Sequence, residues 1–427
     1  MAQFPQPIDF EIKTFGCKVN SYDTGLMEQR LETLGFERTK LNKDPKVYIL
    51  NTCAVTAEAT KEAVRHIRKI KAQSPFSKIV VTGCAAQVDT GAFSELPSVD
   101  LIVANSHKQD LETLLSDMFK GKLKQRVFKS NIFKKEDLGL GGGEESRHTR
   151  SFLKIQDGCN SFCTFCVIPF ARGKSRSLPI PQLIEKIQSL YEQGVREVVL
   201  TGVHIGDYEF EGKKLEDLLE AILEKTKMPR FRLTSLEPIE LNERLFSLYT
   251  HEKMCPHFHI SLQSAQSDVL RGMKRNYSHQ EVEWALNEIH NRFPKAFVGM
   301  DIIAGFPGET VEMFNETLQR MSELPWTRMH VFPYSPREGT YATRLQGQWS
   351  RSEIMERAKK LRSLSQQRFD REAKKQWGDE KKVLILGDGK RGLSRDYWTL
   401  QLPIDVQLPK NDEILIKVGP ETPLICS

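Results

Sequence analysis

The chain lacks any apolar run of the ~18 residues that a membrane-spanning helix needs, so no membrane span is expected. Its first residues, Met1-Ala-Gln-Phe-Pro-Gln-Pro-Ile-Asp9, have neither a basic stretch nor an apolar core, and so do not read as a secretory leader. A cytoplasmic location is the expectation. No internal repeat stands out. Excess charge of one sign is also missing: 62 Lys and Arg against 56 Asp and Glu leave a formal +6, which permits an anionic partner such as nucleic acid without demanding one. Cysteine is scarce, with eight in 427 residues, and in an intracellular chain these favour metal or redox chemistry over disulfides. A composition of 39% hydrophobic and 28% charged residues is that of an ordinary globular protein, and the length suits two or three domains.

Three of the cysteines, Cys159, Cys163 and Cys166, are spaced C-x3-C-x2-C in Gly158-Cys-Asn-Ser-Phe-Cys-Thr-Phe-Cys-Val167. They supply three thiolates, one fewer than a closed tetrahedral zinc site or a fully ligated iron–sulfur cluster requires. No fourth Cys or His lies nearby at ligand spacing: His148 is upstream at the wrong separation, and the next histidine is His204. A cubane held by three thiolates keeps one iron open, and an open iron can chelate a small molecule through an amine and a carboxylate. Zinc or an unligated group of thiols is the alternative.

The first segment alternates short apolar strands (Phe10–Phe15, Lys46–Leu50, Lys78–Thr82, Asp100–Val103) with helices (Tyr22–Leu34, Thr56–Ala72, Gln109–Phe119), which predicts a parallel sheet with right-handed crossovers. Lys and Arg are dense between Lys120 and Arg150, and Gly139-Leu-Gly-Gly-Gly143 reads as a linker. A second alternation follows, with strands at Ser151–Gln156, Glu197–Thr201, Phe231–Ser235, His257–Leu262, Ala296–Ile303 and Arg328–Phe332. Six such units predict an open, partial (β/α)6 barrel, whose chemistry gathers at the C-terminal ends of its strands. A basic helix is expected from Arg351 to Trp377. The last stretch, with short alternating runs around Val383–Leu386, Tyr397–Gln401 and Glu413–Val418, predicts a small antiparallel β-barrel. The fold class is therefore mixed α/β.

Cys17, Cys53 and Cys84 look unrelated by spacing, yet each directly follows an expected strand of the first segment. The C-terminal ends of parallel strands share one sheet edge, so three cysteines at three equivalent ends converge on a second three-thiolate site. Gly16 and Gly83 beside them allow close approach. Three buried structural cysteines are the alternative. Cys255 and Cys426 have no such placement and read as ordinary thiols.

The C-x3-C-x2-C motif resembles that of the radical S-adenosylmethionine (SAM) enzymes. With the second cysteine set, nearly the whole chain resembles the methylthiotransferases among them. Thr14-Phe-Gly-Cys-Lys-Val-Asn20, Asn51-Thr-Cys-Ala-Val-Thr56 and Lys154-Ile-Gln-Asp-Gly-Cys159 resemble the subgroup acting on threonylcarbamoyladenosine in tRNA. Arg172-Gly-Lys-Ser-Arg-Ser177, Ser235-Leu-Glu-Pro238 and Asp301-Ile-Ile-Ala-Gly-Phe-Pro-Gly-Glu-Thr310 are also family-like. Ala265 departs from the glycine usual in that loop, and the final domain is a short, divergent version of the RNA-binding TRAM barrel.

The resemblance implies a division into an N-terminal domain with an auxiliary cluster (1–122), a basic, Gly-rich linker (123–148), a radical SAM core (149–374) and a TRAM-like barrel (375–427). It implies two 4Fe-4S clusters, one on Cys159, Cys163 and Cys166 and one on Cys17, Cys53 and Cys84, with SAM as cosubstrate. The first cluster would reduce SAM to a 5′-deoxyadenosyl radical that takes hydrogen from C2 of an adenine, and the second would hold the sulfur to be transferred. Phe165 would pack near the SAM adenine. Thr201 and Gly202 would meet the methionine amine, and Gln263 lies in a loop on the SAM side. Gly305 would admit the adenine or is a plain turn. Arg172, Arg176 and Arg275 would meet the SAM carboxylate or tRNA phosphate, or are solvated. His204 reads as a core or rim histidine.

Lys129, Lys134, Lys135 and the basic helix are candidates for tracking phosphates, and Tyr397 and Trp398 for stacking on bases or filling a core. The expected partners are the anticodon loop of tRNA, SAM, and an electron donor such as flavodoxin or ferredoxin, with the chain a monomer. The alternatives are the same chemistry on isopentenyladenosine in tRNA or on a ribosomal protein aspartate, and, from another class, a non-catalytic metal-containing RNA-binding protein.

Overall fold

The computed structural model describes residues 8–39, 44–135, 138, 149–387, 389–403 and 412–425. The chain divides into two compact units. The first joins Met1–Glu144, Phe152–Ser177 and Ser335–Thr340, and the second joins Glu145–Ser151, Leu178–Tyr334 and Tyr341–Ser427.

The first unit is built on a parallel sheet of β1 (Ile8–Thr14), β2 (Phe36–Arg38), β3 (Val47–Thr52), β4 (Lys78–Gly83), β5 (Leu101–Ala104) and β6 (Val127–Phe128), in the order β2-β1-β3-β4-β5-β6. The central strands are short β-branched runs buried on both faces, as a helix-covered parallel sheet requires. Neighbouring residues alternate between two cores. Ile49, Val80 and Leu101 pack with Met27 and Leu31 on one face; Leu50, Val81 and Ile102 pack with Ala63 and Ile67 on the other. Each fully buried aliphatic chain of this kind contributes ~1.5–3 kcal/mol. Two helices supply those faces: α1 (Lys18–Thr33), which starts directly after Cys17, and α2 (Ala57–Gln73), whose Thr56 side chain accepts from the Ala59 N–H as a cap.

The expected strands and helices of this unit are present within a few residues. Among the additions are β2 and β6, edge strands of three and two residues, and the short helices Cys84–Val88 and Thr90–Ser94, all too short to show a pattern. The expected linker holds β6 and a short 3₁₀ turn, Ile132–Lys134; its Gly139–Gly143 stretch lies outside the described residues.

In the second unit five strands run parallel in sequence order: Glu197–Thr201, Phe231–Leu233, His257–Gln263, Phe297–Ala304 and Arg328–Pro333. Helices Leu215–Lys225, Glu243–Tyr249, His279–Arg292 and Val311–Glu323 separate them. The strand expected at Ser151–Gln156 is Arg150–Lys154, shared between the two units. The basic helix runs from Arg351 to Lys375, capped by Ser350 and Glu353 in a reciprocal box. The chain's last strands form an antiparallel sheet in the order Glu413–Lys417, Glu380–Ile385, Arg391–Ser394, Thr399–Gln401, Leu424–Ile425. Trp398, Leu400 and Val383 of this sheet pack with Phe369 of the helix and Phe297. Among the described residues no helix is long and apolar enough to cross a membrane.

Candidate metal and cofactor site

In the first unit β1, β3 and β4 are adjacent, and Cys17, Cys53 and Cys84 follow their C-terminal ends. Side chains tie those ends together. Asn20 donates to the carbonyls of Phe15, at 2.7 Å, and Thr52, at 3.0 Å, and Thr52 Oγ1 donates to the Thr82 carbonyl at 2.6 Å. Gly16 has φ +93°, and a Cβ there would lie 2.6 Å from both Cβ and Sγ of Cys53. Gly83 has φ +96° and approaches the Thr52 backbone as closely. The glycines are therefore needed for the cysteines to gather.

Burial pushes the Cys53 thiol up to about 12, and the adjacent Cys84 and Cys17 push the same way. Burial also raises Cys84, against the opposing charge of Arg172. The Val55 N–H donates to Cys53 Sγ at 3.5 Å, and Asn105 Nδ2 to Cys84 Sγ at 3.6 Å. Three thiols at neighbouring strand ends, Cys17 exposed and Cys53 and Cys84 buried with N–H groups aimed at their sulfurs, fit a thiolate-ligated cluster.

The C-x3-C-x2-C loop belongs to the same unit. The Cys166 N–H donates to the Cys163 carbonyl at 3.0 Å, which folds the loop back on itself, and the Ser161 N–H donates to Cys159 Sγ at 3.4 Å. Cys159 and Cys163 are buried, and Cys166 and Phe165 are half-buried. A short helix, Ile168–Arg172, leads away from the loop, and its capping residue Val167 and its Ala171 pack into the core that holds Cys53 and Cys84.

At the end of that helix Arg172 is 3% exposed, and is not the solvated charge the sequence allows. Its guanidinium donates to both carboxylate oxygens of Asp157 at 2.9 and 3.0 Å, to Asn20 at 2.6 Å and to Asp23 at 3.1 Å, and bears on Cys84. Lys154 Nζ lies 2.7 Å from Asp23 and 3.2 Å from Asp157, and Lys108 lies 3.1 Å from Asp23. Burial alone would raise the Asp23 and Asp157 carboxyls, but these cations outweigh it and hold both well below the usual carboxylate range. Three formal cations against two carboxylates leave one positive charge beside Cys84, which a thiolate-ligated cluster would balance.

Sequence reasoning places Asn20, Lys154, Asp157 and Arg172 in three separate motifs without joining them, and it misses Asp23, Lys108 and Asn105.

In the second unit most of the remaining expected residues sit at strand ends, while Arg275 follows the short helix Ser267–Gly272. Thr201 closes the strand Glu197–Thr201, and Gly202 follows it. Gln263 closes its strand with φ +61°, Ser235 follows the neighbouring strand with φ +55°, and Gly305 follows Ala304 with φ +75°. Left-handed backbone at non-glycine residues on two adjacent strand ends is strain of the kind kept at functional sites. Arg275 pairs with Glu237, whose carboxyl burial raises while Arg275 and His204 oppose. His204 Nε2 lies 2.5 Å from Glu240, and its Nδ1 lies 3.2 Å from Asp207.

Other candidates are engaged inside the second unit. Tyr397 stacks on His257 with centroids 3.8 Å apart, and Trp398 is in the core. Within the basic helix, Arg357 lies 3.6 Å over the Trp349 ring, and Arg368 donates to three carbonyls. In the first unit Lys135 donates to the Asn105 carbonyl, whereas Lys129 and Lys134 are exposed.

Residues 9–104 match a group described as uncharacterized protein family UPF0004, and residues 153–321 match the radical SAM superfamily. The chain is 35% identical over 387 residues to the threonylcarbamoyladenosine tRNA methylthiotransferase MtaB of Aquifex aeolicus, covering 90% of this chain and 94% of the relative. It is 31% identical over 396 residues to the tRNA-2-methylthio-N(6)-dimethylallyladenosine synthase of Bacillus pumilus, covering 89% and 77%. Among solved structures, the radical SAM methyltransferase TsrM of Kitasatospora setae, with cobalamin and a [4Fe-4S] cluster bound, superposes with a TM-score of 0.58 at 16% identity, covering 78% and 77%, a likeness of fold.

Proposed function

The chain belongs to the radical SAM tRNA methylthiotransferases, and we propose that its substrate is the N6-threonylcarbamoyladenosine just 3′ of the tRNA anticodon, which it converts to the 2-methylthio derivative. It is a tRNA-modifying transferase whose cofactors are SAM and iron–sulfur clusters. We assign one 4Fe-4S cluster to Cys159, Cys163 and Cys166 and the other to Cys17, Cys53 and Cys84. The observation that carries this assignment is the meeting of three adjacent strand ends, each with its cysteine, in the unit that also holds the C-x3-C-x2-C loop. When bound, the loop cluster supplies the electron that splits SAM, and the strand-end cluster supplies the sulfur.

The protein's own residues do the rest. Gly16 and Gly83 let the thiols close up, Asn20 and Thr52 hold the strand ends in register, and Arg172 fixes the helix after the loop against Asn20 and Asp23. We keep Phe165, Thr201, Gly202, Gln263, Arg275 and Gly305 as proposed SAM-binding residues. We also propose the four-part division 1–122, 123–148, 149–374 and 375–427, a cytoplasmic monomer, and reduction by flavodoxin or ferredoxin.

The motifs Cys17-Lys-Val-Asn20 and Cys53-Ala-Val-Thr56, and the higher identity to the threonylcarbamoyladenosine enzymes than to the dimethylallyladenosine synthases, support this substrate over the other two subgroups'. An unpaired loop base can be splayed out at low unstacking cost. A site built to hydrogen-bond the threonylcarbamoyl group would reject an apolar isopentenyl group by leaving its own polar groups unpaired.

The test is to incubate reconstituted enzyme with tRNAs carrying either modification and with the ribosomal protein substrate. Methylthio product on the threonylcarbamoyl tRNA alone is expected. Product only on either other substrate would overturn the substrate while leaving the chemistry intact.

A further inference from the structure

Three phenyl rings stand together at the surface of the first unit. Phe162 lies inside the C-x3-C-x2-C loop, Phe170 in the helix that follows it, and Phe133 in the 3₁₀ turn of the segment before it. Phe133 and Phe162 are nearly parallel, 21° apart with centroids at 6.2 Å, and Phe170 stands edge-on to both at 5.9 and 6.0 Å. Phe162 and Phe170 are 38% and 44% exposed.

A single exposed apolar residue needs no explanation, but two exposed rings set against a third, half-buried one make a contiguous patch that loses stabilisation burial would bring. Phe162 also sits at φ +46°, a left-handed backbone that an aromatic residue rarely adopts, so the loop holds this ring outward against local preference.

The chemistry around the rings selects a partner. The segments that carry them, residues 127–135 and 158–177, contain no carboxylate; of their cations Arg172 is buried against Asp157 and Asp23 and Lys135 donates to the Asn105 carbonyl, which leaves Lys129, Lys134 and Lys174 to face solvent. Glu136 and Asp137, next in the chain, lie outside the described residues. A patch of three rings is far smaller than the roughly 1,000 Å² a stable protein interface needs, but it matches the face of a nucleobase, and the surrounding cations suit the phosphates on either side of that base.

We propose that Phe133, Phe162 and Phe170 form a stacking platform for an unpaired base of the anticodon loop next to the target adenosine. This rests on tRNA as the substrate but not on the threonylcarbamoyl group.

The test uses the full-length reconstituted protein and anticodon stem-loops with 2-aminopurine placed, one position at a time, beside the target, each made with and without the threonylcarbamoyl group. On the wild-type protein one position should be quenched with both RNAs. Phe133→Ala and Phe170→Ala should relieve the quenching and weaken RNA binding between about 5-fold and 150-fold, the equivalent of the ~1–3 kcal/mol a stacked base contributes. Phe170→Trp should keep both properties. Iron content, and 5′-deoxyadenosine formed under dithionite without RNA, should stay at the wild-type level in Phe133→Ala, which lies outside the cysteine loop.

Absence of quenching at every position on the wild-type protein would overturn the proposal without any variant. So would unchanged RNA affinity in both alanine variants; if they were instead reduced more slowly by flavodoxin, the rings would be a docking face for the electron donor. Quenching with both RNAs, but turnover indifferent to the threonylcarbamoyl group, would keep the platform and refute the substrate.

Discussion

Replacing Arg172 by Met is the perturbation that most directly separates a working charge network from incidental proximity. The substitution keeps the volume of the chain roughly constant and removes two bonds to Asp157, one to Asn20 and one to Asp23. Asp23 and Asp157 are then left to Lys154 and Lys108 in a buried setting. Removing one partner of a buried ion pair costs about 3–5 kcal/mol, here because Asp157 loses a bidentate partner and Asn20 and Asp23 each lose a buried bond. For a unit of this size each kcal/mol moves the thermal midpoint by about 2–4 °C, so a drop of about 6–20 °C is expected, read by circular dichroism on the metal-free protein under anaerobic conditions. Arg172→Lys keeps a point charge but loses the paired geometry and should fall between.

The acid side gives an independent reading. Both carboxyls are held below their ordinary value of 3.8, so the stability they contribute is present above that pH and is lost as pH falls through the lower folded values. The wild-type protein should therefore lose stability below about pH 4 more steeply than Arg172→Met. A variant within 1 kcal/mol of wild type, with the same acid profile, would refute the network.

Cys159→Ala, Cys163→Ala and Cys166→Ala should each abolish 5′-deoxyadenosine formation under dithionite, and wild-type yield from any of them would remove that cluster from the loop. The triple variant of Cys17, Cys53 and Cys84 to Ala should keep measurable 5′-deoxyadenosine and lose methylthio product; continued methylthiolation would make these three cysteines structural. Gly16→Ala places a methyl 2.6 Å from Cys53 Sγ at a backbone angle of +93°, so iron per chain should fall after reconstitution, and full iron loading would show that the strand end can open without harm. Burial raises Glu309 to about 7 despite Arg357 at 3.4 Å. The folded state thus binds a proton the unfolded state releases, and stability falls as pH rises from about 4.5 to 7. Glu309→Gln should be more stable than wild type above pH 7 by up to roughly 3 kcal/mol and equal to it below pH 4.5, and the reverse trend in urea titrations would contradict this.

The parallel sheet of the first unit is legible in the sequence because Val47–Leu50, Lys78–Val81 and Leu101–Val103 are apolar strand runs with helices of clear period between them. The same pattern is enough to place Cys17, Cys53 and Cys84 at one sheet edge. The charge network is not legible. Asn20, Lys154, Asp157 and Arg172 stand in recognisable motifs, but Asp23, Lys108 and Asn105 come from segments with no distinctive neighbours, and only tertiary packing brings them together. The phenyl platform is hidden for the same reason, with Phe133 about thirty residues from Phe162. For Tyr397 and Trp398 the sequence leaves base stacking and a core role open, and the structure takes the second: Trp398 packs on Phe297 and Phe369, and half-buried Tyr397 stacks on His257.

Methylthiolation of threonylcarbamoyladenosine in tRNA is read out by mass analysis of tRNA nucleosides from a strain lacking this chain, with and without the gene restored. In the deletion 2-methylthio-N6-threonylcarbamoyladenosine should disappear and its unthiolated precursor accumulate, and restoring the wild-type gene but not Cys163→Ala should bring it back. An unchanged level of that nucleoside, with loss of the 2-methylthio isopentenyl nucleoside instead, would contradict it.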